Sequence, residues 1–184
     1  MNIRNTTRAW GAVSKTLHWL IVLLIINQWL IAERADDLPN GLAKLQALAW
    51  HKSFGITVLL LAIVRLVWRW LNPVPSLDGL AKPWERVLAH ISHVLLYGLI
   101  FAMPLTGWMM SSARNFPVSW FRLVQLPDLV APNQALFEQL RDLHHLLFKV
   151  LVAVAVLHAL GALKHHFIDR NQLLKRMLPF GGVK

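Results

Sequence analysis

At 184 residues, 56% hydrophobic and only 15% charged, with a mean hydropathy of +0.47, this chain is too apolar for a soluble domain of its size. Its net charge of +10 could suggest a nucleic-acid partner, but the nineteen Lys and Arg mostly flank apolar runs instead of gathering on a polar surface, which reads as membrane topology and not as nucleic-acid binding. With no cysteine, the chain has no means of forming disulfides, iron–sulfur clusters, thiolate metal sites or covalently attached haem.

The first apolar run, residues 16–32, is expected to be a span and not a cleaved signal peptide, because Glu33 and Arg34 follow Ile31 with no small-residue cleavage site. The second, 51–71, is stopped by Asn72, Pro73, Val74 and Pro75. Lys82-Pro83 precedes the third, 88–111, which contains Pro104 and so predicts a kink, with Gly107 about one turn further on. The connection 112–141 is long and carries Pro117, Trp120, Phe121, Pro127 and Pro132, which predicts an interfacial loop or a short surface helix. The fourth run is 143–166. Each run is near the length that a hydrocarbon core of about 30 Å requires. The expected fold is all-α: an integral membrane four-helix bundle, one domain over residues 1–184.

Orientation follows from the basic residues. One side takes Arg4, Arg8, Lys15, Arg65, Arg69, Lys82, Arg86, Lys164, Arg170, Lys175, Arg176 and Lys184. The other takes Arg34, Lys44, Lys52, Arg114, Arg122, Arg141 and Lys149. The richer side is expected to be cytoplasmic, with both termini on it.

On this topology the histidines fall into pairs. His144 and His158 are fourteen residues apart, so they share one face of the fourth helix and are separated by about 21 Å along its axis. His145 lies about 100° away from that line. His18 opens helix 1 on the cytoplasmic side, and His51 opens helix 2 on the periplasmic side. Matching depths then pairs His51 with His144 and His18 with His158, whichever way up the protein lies. A single histidine at a span edge is more often an interfacial or proton-relay group. Four at two matched depths point to two bis-histidine haems of b type, since bundle cofactors are held by inward residues on facing helices.

Gly55, four residues after His51, and Gly161, just beyond His158, are expected to make room for a flat macrocycle. Arg65 shares the face of His51 but lies at cytoplasmic depth, where a charge needs a partner; a propionate of the cytoplasmic haem is the expected one. His90 and His93 could form a small metal site, but no carboxylate or cysteine completes it, so they read as neighbours of the ligands or interfacial groups. His145 reads as structural or as a neighbour of the outer haem. His165 and His166 could hydrogen-bond a quinone carbonyl or form a solvated helix end; the sequence leaves both open.

Leu17-His18-Trp19, His51 with Gly55 and Arg65, His90 and His93 followed by Tyr97, Met103-Pro104 with Gly107, His144 with His158, and His165-His166 followed by Leu173-Leu174, Met177 and Pro179 occur in that order along nearly the whole chain. In this combination the sequence resembles the bacterial cytochrome b561 family of dihaem inner-membrane cytochromes, with the loop region 114–139 matching least. The resemblance implies a four-helix protein of the bacterial inner membrane with two haem b groups, passing electrons between the periplasmic side and the quinone pool. Some members oxidise superoxide at the periplasmic face and reduce ubiquinone. Lys52 beside His51, and Arg141 and Lys149 beside His144, could steer such an anion, while Asp128, Glu138 and Asp142 weaken the field.

The reading is therefore a dihaem oxidoreductase or electron carrier, embedded in lipid, with superoxide as a candidate donor and ubiquinone as acceptor. One alternative is a cytochrome b subunit that anchors a hydrogenase or dehydrogenase and docks it through the loop 112–141. Another is a histidine-rich non-redox membrane protein or metal transporter, against which stands the lack of any Asp or Glu within the four spans.

Overall fold

A computed structural model describes residues 2–179. Lys184, counted above toward orientation, lies outside them. Four long helices dominate: α1 (Ala12–Asp37), α2 (Leu42–Trp70), α3 (Pro83–Ala113) and α4 (Gln134–Phe167), followed by the short α5 (Leu173–Met177). Each of the four is long and apolar enough to cross a membrane. Large apolar side chains such as Leu23, Leu30, Leu60, Leu157 and Leu160 remain exposed along them, as suits a surface solvated by lipid.

Local chemistry sets the helix ends. Pro83 takes the first position of α3, where its missing N–H costs nothing, and Glu85 accepts from the Lys82 N–H at 2.8 Å, half of a capping box. Asn133 caps α4, its Oδ1 accepting from Leu136 N–H at 3.0 Å. That cap starts α4 at Gln134, well before the expected span at 143. Pro104 sits inside α3, which continues through it to Ala113. The connection between α3 and α4 is shorter than expected and contains no helix among its residues. It forms a two-stranded antiparallel hairpin, β1 (Ser119–Trp120) with β2 (Val124–Gln125). Phe121 and Arg122 at its tip have φ of 48° and 62°, the left-handed conformations that a tight hairpin turn requires.

The chain divides into two compact units that both draw on all four long helices. Unit 1 comprises the residues up to Leu20, Ile63–Gly98 and the residues from Leu151 onward; unit 2 comprises Ile21–Ala62 and Leu99–Val150. Unit 1 buries Asn5, Ser14, Lys15, Asn72 and Glu85 alongside Leu17 and Leu151. Asn5 Oδ1 accepts from Gly11 N–H at 2.9 Å and from the Ser14 hydroxyl at 2.7 Å, tying the N-terminal segment to the start of α1. Only glycine fits at position 11, because a Cβ there would lie 2.4 Å from the Ile3 carbonyl oxygen. Unit 2 has the more apolar interior, with Ile21, Ile56, Val58, Leu59 and Ala62 buried. Its hairpin is fastened to α2: Phe121 N–H donates to Ser53 Oγ at 3.0 Å, and Trp120 Nε1 donates to Thr57 Oγ1 at 3.1 Å.

Candidate functional site

Unit 2 brings His51 of α2 and His144 of α4 together, their ring centroids 6.4 Å apart and the planes inclined by 74°. Two metal–imidazole bonds of about 2 Å, with the ring radii added, span roughly 6 Å. The spacing of the two rings would admit one metal ion between them.

Their second nitrogens are already committed. His51 Nδ1 lies 3.3 Å from the Gln28 carbonyl, which can only accept, so that nitrogen carries the proton. Gln28 returns the contact, its side-chain amide donating to the His51 carbonyl at 2.9 Å. His144 Nδ1 lies 3.1 Å from Thr106 Oγ1. The Thr106 hydroxyl has one hydrogen, and the Ala102 and Met103 carbonyls at 2.8 and 2.9 Å take it, so the oxygen accepts from His144 Nδ1–H. Both imidazoles are therefore held as the tautomer whose Nε2 lone pair is free for a metal, the usual state of a ligating histidine with its outer partner in place.

Gly107 lets His144 approach: a Cβ there would stand 3.2 Å from His144 Cε1. Gly55 also has a neighbour that the sequence did not indicate. A Cβ at that position would meet Gln28 Nε2 at 3.0 Å, so the glycine makes room for the amide that supports His51. His145 is exposed whereas His144 is half-buried. Lys52, next to His51, donates to Ser111 Oγ at 3.2 Å and to the Pro117 carbonyl at 3.1 Å.

Unit 1 gathers a second set. His18, His158 and His93 are half-buried, and His18 lies within electrostatic range of His158, His93 and Arg65. His93 packs edge-on against His158 with centroids 5.1 Å apart, so α3 contributes a third imidazole beside the expected pair. His90 is exposed. Arg65 donates to Tyr97 Oη and to the Ser14 carbonyl, both at 3.2 Å. Nothing lies within 4 Å of a Cβ built at Gly161, which leaves open space beside α4. Three imidazoles and a guanidinium with no carboxylate among them fit a group that brings iron and its own acidic substituents.

His165 and His166 sit in different surroundings. His165 Nδ1 is 2.8 Å from Asp169 Oδ2 and 3.1 Å from Asn171 Nδ2, while His166 Nδ1 is buried without a partner among the described residues. Lys164 pairs with both Glu85 and Asp169. The hydrogen bond from Lys164 holds the Asp169 carboxyl below its ordinary value. Glu85, His165 and Asp169 together could hold a cation, but the Lys164 ammonium already fills that role.

Gln28 and Thr106, which fix the two unit 2 imidazoles, were not singled out from the sequence. Gln28 follows Asn27 in an otherwise apolar run, and Thr106 directly precedes Gly107. An amide or hydroxyl within an otherwise apolar span is the available signal.

The family model for prokaryotic cytochrome b561 matches residues 9–180. The chain is 32% identical over 183 residues to "Cytochrome b561 homolog 2" of Escherichia coli K12, covering 97% of this chain and 95% of that protein. It is 31% identical over 163 residues to "Probable superoxide oxidase CybB" of Yersinia pestis, covering 89% and 92% respectively. Over 165 residues it is 27% identical to "Cytochrome b561 homolog 1" of Escherichia coli K12, covering 89% and 93%. The chain belongs to the prokaryotic cytochrome b561 family, multi-pass membrane cytochromes that bind haem b.

Proposed function

We propose that this protein is a dihaem cytochrome of the bacterial inner membrane that carries electrons from a periplasmic donor, superoxide, to ubiquinone. Both termini are assigned to the cytoplasm on the count of basic residues. The observation that carries the reading is the His51–His144 pair: facing rings 6.4 Å apart, each with Nδ1 bound and Nε2 free. His18 and His158 are the proposed ligands of the other haem, with His93 as their neighbour and Arg65 on a propionate. When bound, the haems supply the one-electron chemistry, by which two superoxide ions leave as dioxygen and one quinone takes up two electrons and two protons.

On the donor side, Lys52 is kept close to His51 by Ser111 and Pro117 and contributes positive potential for an anion. The relative named a probable superoxide oxidase favours that donor over a docked enzyme subunit. On the acceptor side, His166 Nδ1 is a buried donor or acceptor with no partner among the described residues, and a quinone oxygen would satisfy it. His165 is oriented by Asp169, which fixes the ring for the same ligand.

The test is a dithionite-reduced minus oxidised spectrum of purified protein with haem counted per chain; two b-type haems are expected. His51→Ala and His144→Ala should leave one and the same haem, and His18→Ala and His158→Ala should leave the other. Identical residual spectra from His51→Ala and His18→Ala would overturn the pairing. No haem in protein made with haem in excess would end the reading. Superoxide generated in solution should drive quinol formation by the wild type and not by His51→Ala.

A further inference from the structure

Unit 1 carries positive charge that its own acids do not answer. Arg65 and Arg69 stand one turn apart on α2, a spacing at which like charges on a helix repel. Both guanidiniums flank the Tyr97 ring, with centroid distances of 5.9 and 5.8 Å, and Arg69 also lies 6.0 Å from the Trp10 ring. They line one hollow with Ser14, Trp10 and Tyr97. Unit 1 has three acidic side chains, Asp78, Glu85 and Asp169. Asp78 pairs with Arg86, and Glu85 and Asp169 pair with Lys164. Among the described residues, no carboxylate meets Arg65 or Arg69. Within an apolar membrane-spanning helix a cation without a counter-charge is costly, and Arg69 in the last turn of α2 sets a second beside Arg65.

We infer that Arg65 and Arg69, with Tyr97 between them, form a two-armed clamp for a pair of carboxylates, the two propionates of the haem held by His18 and His158. The inference rests on the haem reading above and extends it from one arginine to two, with the hydroxyl of Tyr97 as a third contact. Ser14 stands one turn before His18 on α1 and Tyr97 one turn after His93 on α3, and Arg65 bonds to both, so the clamp adjoins the imidazole cluster. Arg65 uses one nitrogen on the Ser14 carbonyl and another on Tyr97 Oη, which aims its remaining donors. Among the described residues Arg69 meets only ring faces, which leaves its fork of donors for an anion. Positive charge at this place favours the form of the haem with the extra electron, so the clamp raises that haem's midpoint potential. The same anionic chemistry could come from a phospholipid phosphate, and the test separates the two.

The experiment is a potentiometric titration of the holoprotein with haem and phosphorus counted per chain. Arg69→Gln should keep two haems and make reduction of one of them at least tenfold less favourable, a downward shift of about 59 mV for a one-electron couple. Arg69→Lys should recover most of the shift. The affected haem should be the one still present in His51→Ala, and Tyr97→Phe should move the same haem in the same direction by less. Unchanged midpoints in Arg69→Gln, with phospholipid lost from the purified protein, would overturn the clamp and assign the site to lipid. A shift confined to the haem that His18→Ala retains would overturn it as well. A wild type without two haems would instead refute the underlying reading, before any arginine variant is compared.

Discussion

Gly107→Ala is the smallest perturbation that reaches the facing imidazoles without touching either ligand. The new Cβ would lie 3.2 Å from His144 Cε1, 3.6 Å from Nδ1 and 4.0 Å from Nε2. Carbon atoms prefer about 3.5–4.0 Å, so the ring must give by roughly 0.3 Å or more. It has little freedom to do so in the loaded state, because Nδ1 is tied to Thr106 on the adjacent residue of α3 and Nε2 would be tied to iron. Without a metal the ring can swing away. The cost therefore falls on the loaded state. Overpacking of this kind costs about 1–3 kcal/mol, equivalent to a fall in cofactor affinity of about 5–150-fold. The assay is haem titration into haem-depleted protein, read as the fraction of the His51/His144 haem restored. Gly98→Ala is the control, since a Cβ there meets nothing within 4 Å, and it should bind as the wild type does. A Gly107→Ala protein that binds both haems with unchanged affinity would refute the placement of His144 against α3.

Two further outcomes concern the supports of the site. Trp120→Phe removes the hydrogen bond to Thr57 Oγ1 and should lower the stability of unit 2 by about 0.5–1.5 kcal/mol, measured as thermal release of haem; no change would mean that the hairpin is not fastened there. Asp169 has a folded-state pKa lowered from its ordinary value of 3.8, first by the hydrogen bond from Lys164. Its contribution is then complete above that value and lost as the pH falls through the lower folded value. Melting temperatures of the wild type and Asp169→Asn should differ by a small, constant amount at neutral pH and converge in acid below the ordinary carboxylate range. A gap that widened in acid would contradict the sign.

The helices were readable because membrane spans write themselves as composition: an apolar run of fixed length needs no partner to be recognised. His144 over His145 was readable for a similar reason, since the angle between successive residues on a helix is fixed and only one of the two shares a face with His158. Hydropathy marks the apolar run from 143 but not the start of α4, because Asn133 caps a further helical segment whose residues are partly polar. The prolines of the connection suppress regular structure and point to a loop or a short surface helix, yet Trp120 and Phe121 find hydroxyl partners on α2 that lie more than sixty residues away in sequence.

The parts of the site that escaped sequence reading share one property: each acts through a pairing between helices. Gln28 supports His51 across α1 and α2, and Thr106 supports His144 across α3 and α4; Tyr97 is visible in the sequence, but its bond from Arg65 across α2 and α3 is not. Periodicity within one helix says which face a residue is on, but not which helix that face meets. The glycines make the distinction concrete. Gly55 and Gly107 each lie on the face of a histidine, and sequence alone assigns Gly55 to cofactor space. The structure adds what periodicity could not, the Gln28 amide beside Gly55 and the His144 ring beside Gly107. Both glycines therefore serve the orientation of the imidazoles, and the first effect of filling either position should be on how firmly iron is held.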